Sequence, residues 1–254
     1  MKLAMAGKGG VGKTSLTAWL GDWLARQGRD VWLVDADTAL SLGQACGLPR
    51  AELPVPLIAR EDLVRERIGS GMINLNPEVG DLPEALSVEL PVEGAGRKRL
   101  LVMGSVSRAG GGCACAANAL LKALLLHLVV ERGAWVLVDL EAGVEHLGRG
   151  TVEHVDGLLV VSDPSWRGLE TGAEIGRMAA ELGLSSTALV VNRCPPGTVI
   201  PTIPGLPRQV LTLPGIESLA ARQLSSPSVL GLPEREAIDV FCARCIDRLA
   251  GSRR

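Results

Sequence analysis

Nine residues near the start of the chain, Gly7-Lys8-Gly9-Gly10-Val11-Gly12-Lys13-Thr14-Ser15, constrain its fold more than any other stretch. They satisfy the phosphate-loop pattern G-x-x-x-x-G-K-[ST], which works only between a strand and a helix. Both flanks have that character. Lys2–Ala6 is a short apolar run, and Thr14 to Arg26 carries Leu16, Trp19, Leu20, Trp23 and Leu24 at helical spacing. In such a loop the glycines let successive backbone N–H groups point at phosphate oxygens. Lys13 then supplies a point charge to the β- and γ-phosphates, and the Thr14 hydroxyl ligates Mg²⁺. Gly9, Gly10, Val11, Gly12, Lys13, Thr14 and Ser15 are therefore candidate contacts for a nucleoside triphosphate.

The rest of the chain is punctuated like a doubly wound sheet. Candidate strands are Lys2–Ala6, Val31–Asp35, Leu100–Met103, Trp135–Asp139, Leu158–Ser162 and Ala188–Asn192, with helical patterns between most of them. Several are near-continuous Val/Leu runs, as strands covered on both faces should be. The expectation is one α/β P-loop domain over residues 1–254, with a mostly parallel central sheet flanked by helices. Residues 50–98, rich in proline, read as a peripheral insertion or hairpin, and residues 236–250 as a C-terminal amphipathic helix packed on the core. The expected carboxyl ends carry Gly7, Asp35, Gly104, Asp139, Asp163 and Asn192, and open α/β sheets bind ligands at that edge. Asp139-Leu140-Glu141-Ala142-Gly143 offers a carboxylate for the Mg²⁺ shell and, at Gly143, an N–H for the γ-phosphate. Asp35-Ala36-Asp37 adds two carboxylates able to orient water or reach the metal's hydration shell. Isolated strand-end aspartates more often cap helices and turns; three beside a phosphate loop favour the site.

Composition removes several other functions. The 254 residues carry a formal net charge of -2, which gives no bulk attraction to nucleic acid or anionic membranes. Five Trp, one Phe and no Tyr leave little for a base-stacking surface. The longest apolar stretch, Ala114 to Val130, is interrupted by Asn118, Lys122 and His127, so it reads as a largely buried helix and not a membrane span. The strand and phosphate loop begin at once, with no charged-then-apolar leader before them, and the expected compartment is the cytoplasm. There, six cysteines are expected to be reduced thiols or metal ligands.

The two-lysine loop, Asp35-Ala36-Asp37 and Asp139-Leu140-Glu141-Ala142-Gly143 together resemble the deviant Walker A ATPases, the group of MinD, the arsenite-pump ATPase and the nitrogenase iron protein. Gly111-Gly112-Cys113-Ala114-Cys115 with Glu141-Ala142-Gly143-Val144-Glu145-His146-Leu147-Gly148-Arg149-Gly150 narrows the match. These runs are similar to the CooC-type maturation ATPases of nickel carbon monoxide dehydrogenase. The resemblance implies an ATP-switched homodimer with Mg²⁺. In it Lys13 contacts the phosphates of its own subunit, Thr14 ligates Mg²⁺ and Lys8 reaches the phosphates held by the partner. It further implies that Asp37 activates water, Asp139 supports the metal, Gly143 belongs to the second switch, and Asn192 followed by Arg193 reads the adenine edge. Val210 to Gly215 is expected to pack on the base. The first switch departs from the family's Asp-Ala-Asp-Pro-Asp-Ala-Asn-Leu, reading Asp35-Ala36-Asp37-Thr38-Ala39-Leu40-Ser41-Leu42 here.

Cys113 and Cys115 follow three glycines, on an expected loop before a helix beginning near Ala116 or Ala117. Spacing alone reads them as two small buried thiols. The glycines and the resemblance read them as ligands for Zn²⁺ or Ni²⁺, completed to four sulfurs across a dimer. Cys242 and Cys245 fall in a helical stripe with Ile238, Phe241 and Leu249, which reads as packing. The implied client is nickel carbon monoxide dehydrogenase, with no nucleic acid and no integral membrane segment. The rivals are a MinD-like positioning switch, which calls for a basic amphipathic tail, and a maturation ATPase serving another metalloenzyme.

Overall fold

A computed structural model describes residues 1–69, 74, 76–104, 114–130, 134–141, 143 and 155–251, with side chains over the same residues except 114–118, 129 and 130. The elements run β1 (Lys2–Ala6), α1 (Lys13–Arg26), β2 (Asp30–Ala36), α2 (Leu42–Ala45), α3 (Glu61–Ile68), α4 (Leu82–Leu86), β3 (Val88–Leu90) and β4 (Arg97–Val102). They continue through α5 (Ala114–Val130), β5 (Trp135–Leu140), β6 (Gly157–Ser162), α6 (Trp166–Glu181), β7 (Thr187–Val191), β8 (Gln209–Thr212), α7 (Glu217–Arg222) and α8 (Arg235–Gly251).

The strands form one 8-stranded sheet in the order β3-β4-β2-β5-β1-β6-β7-β8. All neighbours pair in parallel except β3, which closes an antiparallel hairpin on β4 at the edge. Residue alternation splits the core between the two faces. Ala4, Val34, Val138 and Val160 point towards Leu124 and Leu128 of α5 and Ile175 of α6. Leu3, Leu33, Leu137 and Leu159 point towards Leu16 and Leu20 of α1 and Phe241 and Leu249 of α8. Burial on both faces explains why these strands read as continuous apolar runs. The result is the expected doubly wound α/β domain. β1 lies between β5 and β6, with the chain wound outward on both sides of it, so the loop after β1 opens onto the crevice where such sheets bind ligands.

Three local features differ from expectation. β4 begins at Arg97, ahead of the expected Leu100, because the fold accommodates the charges of its first half: Lys98 is fully buried against Asp22, Arg99 stacks 4.6 Å over the Trp32 ring, and exposed Arg97 pairs with Glu89. β3 and β8 are short strands that the apolar pattern did not mark, and they place residues 88–90 and 209–212 in the sheet. Helix α5 starts at Ala114, not near Ala116, so Cys115 is helical and not in a preceding loop. The alanines at 114, 116 and 117 favour helix strongly enough to extend it backward. α8 is held to the core by Ile238, Phe241, Cys242, Cys245 and Leu249, all buried.

Candidate functional site

The phosphate loop is built by close approach. A side chain at Gly7 would run into the carbonyl oxygen of Val161 on β6, and one at Gly12, whose φ is 104°, would strike the Asn192 amide. The end of β7 fastens the loop from the other side. Asn192 Nδ2 donates to the Val11 carbonyl at 2.8 Å, and the Arg193 guanidinium donates to the Gly10 carbonyl at 3.0 Å. Arg193 adopts a left-handed φ of 55°, which lets its own N–H donate to Asn192 Oδ1 at 2.9 Å. Asn192 and Arg193, expected to read adenine, thus position the loop backbone and also line the adjoining cleft. Lys13 is buried within the first turn of α1, its Nζ 3.4 Å from the Lys8 carbonyl and 3.8 Å from Asp37 Oδ2.

Two carboxylates from adjacent strands face this loop. Asp35 and Asp139 are register partners on β2 and β5, and both are fully buried. Asp35 accepts the N–H groups of Asp37 and Leu42, at 3.2 and 3.0 Å, and so shapes the loop that follows β2. Burial pushes its carboxyl up to about 6 despite those bonds. Asp139 Oδ2 accepts the Thr14 hydroxyl at 2.6 Å, whereas its buried Oδ1 has no partner among the described residues. Burial pushes Asp139 up to about 7; the Thr14 bond opposes this and the Asp35 charge adds to it. A threonine hydroxyl beside a buried, incompletely bonded carboxylate at a phosphate loop fits a hard, oxygen-preferring cation such as Mg²⁺. Thr14 and Asp139 would hold it there, where it would shield phosphate charge.

A cleft of about 750 Å³ opens beside the loop and collects Gly9, Gly10, Gly12, Lys13, Thr14, Ser15, Asp37, Asn192 and Arg193 into its lining. Val11 turns into the core, and Gly143 is buried beyond β5. Lys8, directly before the cleft-lining Gly9, is exposed. Asp163, just after β6, sits below the usual carboxylate value because the Ser165 hydroxyl donates to it, with Arg193 and Lys8 contributing positive charge. Part of the lining went unread in the sequence. It comprises Trp19, Ser41, Gly215 and the residues of α7 and its approach, Ile216, Leu219, Ala220 and Gln223. That run has i, i+3, i+4, i+7 spacing, a helical period over a stretch too short to announce a helix.

Cys113, His146 and His154 lie outside the described residues, and Cys115 is placed only by its backbone in the first turn of α5. Among the described residues no cluster of three or more His, Cys, Asp or Glu side chains is arranged for a metal ion. Cys242 and Cys245 are buried thiols, and burial pushes Cys245 up to about 12 and Cys242 well above the ordinary thiol value. No helix among the described residues is long and apolar enough to cross a membrane.

A glycine-rich loop opening a helix, a buried Thr–Asp pair beside it and an adjoining cleft define a P-loop nucleotide-binding ATPase. Residues 2–238 match the model of the CobQ/CobB/MinD/ParA nucleotide binding domain. The chain is 41% identical, over 76% of its length and 74% of the relative's, to the carbon monoxide dehydrogenase accessory protein CooC of Rhodospirillum rubrum. It is 37% identical, over 76% of its length and 75% of the relative's, to an uncharacterised ATP-binding protein of Methanocaldococcus jannaschii. The chain therefore belongs to the CobQ/CobB/MinD/ParA nucleotide-binding family, as a CooC-type ATPase. Its fold matches MinD from the MinC:MinD complex of Aquifex aeolicus with a TM-score of 0.68 at 21% identity, covering 97% of this chain and 96% of that one. The family's nucleotide chemistry implies ATP and Mg²⁺.

Proposed function

We propose that this chain is a Mg-ATP-dependent homodimeric ATPase that assists nickel insertion into carbon monoxide dehydrogenase. The observation that carries the reading is the 41% identity to CooC, named as an accessory protein of that enzyme. The site supports a nucleotide-driven cycle. Lys13 and the loop N–H groups take the phosphates, Thr14 and Asp139 hold Mg²⁺, and Asp37, beside Lys13, orients water for attack at the γ-phosphate. Lys8 is exposed beside Gly9 and gains its phosphate partner when a second subunit meets it. ATP therefore closes the dimer, and hydrolysis releases it. Cys113 and Cys115 from each subunit then present four sulfurs to one Zn²⁺ or Ni²⁺. The buried inner face of α8 favours this reading over a membrane-positioning switch, because the helix bearing Arg244 and Arg248 serves the core.

Sedimentation with elemental analysis tests the shared metal site. One Zn²⁺ or Ni²⁺ per dimer is expected in the wild type, and none once Cys113→Ser is combined with Cys115→Ser. One metal per monomer, or metal retained in that double variant, would overturn it.

A further inference from the structure

Thr38 lies directly after Asp37, in the loop between β2 and α2, and its side chain leaves that loop. Thr38 Oγ1 donates to Glu141 Oε1 at 2.9 Å, across 103 residues of sequence. Glu141 follows β5, two residues beyond Asp139 and two before Gly143. The bond therefore joins the loop carrying Asp37 to the short stretch between the carboxylate that faces Thr14 and the buried glycine. Both side chains are half-buried, which shields a charge-assisted bond from water without the full cost of burying the carboxylate.

The rest of the β2 loop is tightly specified. Asp37 Oδ1 accepts the Ala39 N–H at 2.9 Å, the Leu40 N–H reaches the Asp37 carbonyl at 3.3 Å, and Asp35 holds Leu42 N–H. Leu40 sits at a left-handed φ of 49°, a conformation a leucine keeps only where its surroundings impose it. A loop fixed at this many points moves as a unit, and Thr38 is where that unit is tied to the segment after β5.

We infer that Thr38 and Glu141 are positioning residues for ATP hydrolysis: their hydrogen bond makes the two loops move together, so that a shift at Gly143 relocates Asp37. The inference rests on the ATPase reading of the site and is independent of the client. Thr38 reaches Asp37 only through the backbone, so its loss should slow turnover while leaving nucleotide affinity largely in place.

Steady-state hydrolysis by purified chain tests this. Thr38→Val keeps the side chain's shape and removes the donor; kcat is expected to fall about tenfold with KM changed by less than about twofold. Thr38→Ser restores the hydroxyl and should recover most of the rate. Glu141→Leu should mirror Thr38→Val, Glu141→Gln should retain an acceptor and most of the rate, and Thr38→Val with Glu141→Leu should be no slower than either alone. Thermal melts exclude unfolding as the cause, and the Glu141 pair decides the matter if a Thr38 variant folds poorly. Unchanged kcat in Thr38→Val, a Thr38→Ser enzyme as slow as the valine variant, or losses that multiply in the double variant would overturn the inference. Absence of turnover in the wild type would instead refute the site assignment on which it rests.

Discussion

Asp22→Ala should be among the most damaging single changes in this protein, although the bonding partners of its carboxylate, Lys98 and Arg26, lie outside the nucleotide cleft. Lys98 on β4 is fully buried, with its ammonium 2.8 Å from Asp22 Oδ1. Asp22 Oδ2 also accepts from Arg26 at 2.9 Å, and Arg26 grips Asp239 of α8 through two bonds of 2.8 and 2.6 Å. This chain pins α1, which carries Lys13 and Thr14, to the sheet and to the last helix. Burial pushes the Asp22 carboxyl up, but Lys98 and Arg26 pull harder, so it lies below the usual carboxylate value. Removing Asp22 leaves a buried ammonium without its partner, a loss of about 3–5 kcal/mol.

Lys98→Met should cost only about 1 kcal/mol, because Asp22 is 20% exposed and keeps Arg26. Urea unfolding of the three proteins at pH 7 is the assay, and a loss below about 1 kcal/mol for Asp22→Ala would show that the buried Lys98 ammonium does not depend on Asp22.

Other outcomes follow from the site. Asp35 and Asp139 have raised carboxyls, at about 6 and about 7, so the folded, metal-free protein binds more protons than the unfolded chain between roughly pH 4 and 7. Their contribution to stability is lost as pH rises through that window. In chelator, Asp139→Asn should therefore gain stability over wild type at pH 8 and little at pH 5, while losing Mg-ATP turnover; a melting-temperature difference independent of pH would contradict this. Lys8→Ala should bind nucleotide yet fail to dimerise with Mg-ATP in light scattering, and a persistent ATP-driven dimer would remove the cross-subunit role of Lys8.

The nucleotide half of the site was legible because it is written in local sequence. Gly7 to Ser15 combine two glycines demanded by close approach, Gly7 and Gly12, with a lysine and hydroxyl whose chemistry has few other uses, and apolar runs ending in Asp35 and Asp139 put carboxylates at the same edge. What stayed hidden depends on contacts between distant segments. Lys98 reads as a surface charge until Asp22 is seen to meet it, which also concealed the start of β4. Thr38 reads as a departure from a family pattern until Glu141 is found 2.9 Å away. The lining supplied by Ile216, Leu219, Ala220 and Gln223 did carry a helical period, but α7 spans only 6 residues among prolines and glycines, too short for its pattern to stand out.

Reconstitution would test whether ATP turnover at this phosphate loop drives maturation of a nickel enzyme. Nickel-free carbon monoxide dehydrogenase would be incubated with Ni²⁺ and Mg-ATP, alone, with wild-type chain, or with Lys13→Ala, and CO oxidation then measured. Activation by the wild type is expected to depend on ATP and to be absent with Lys13→Ala. Equal activation with Lys13→Ala, or no gain from the wild type over Ni²⁺ alone, would contradict that expectation.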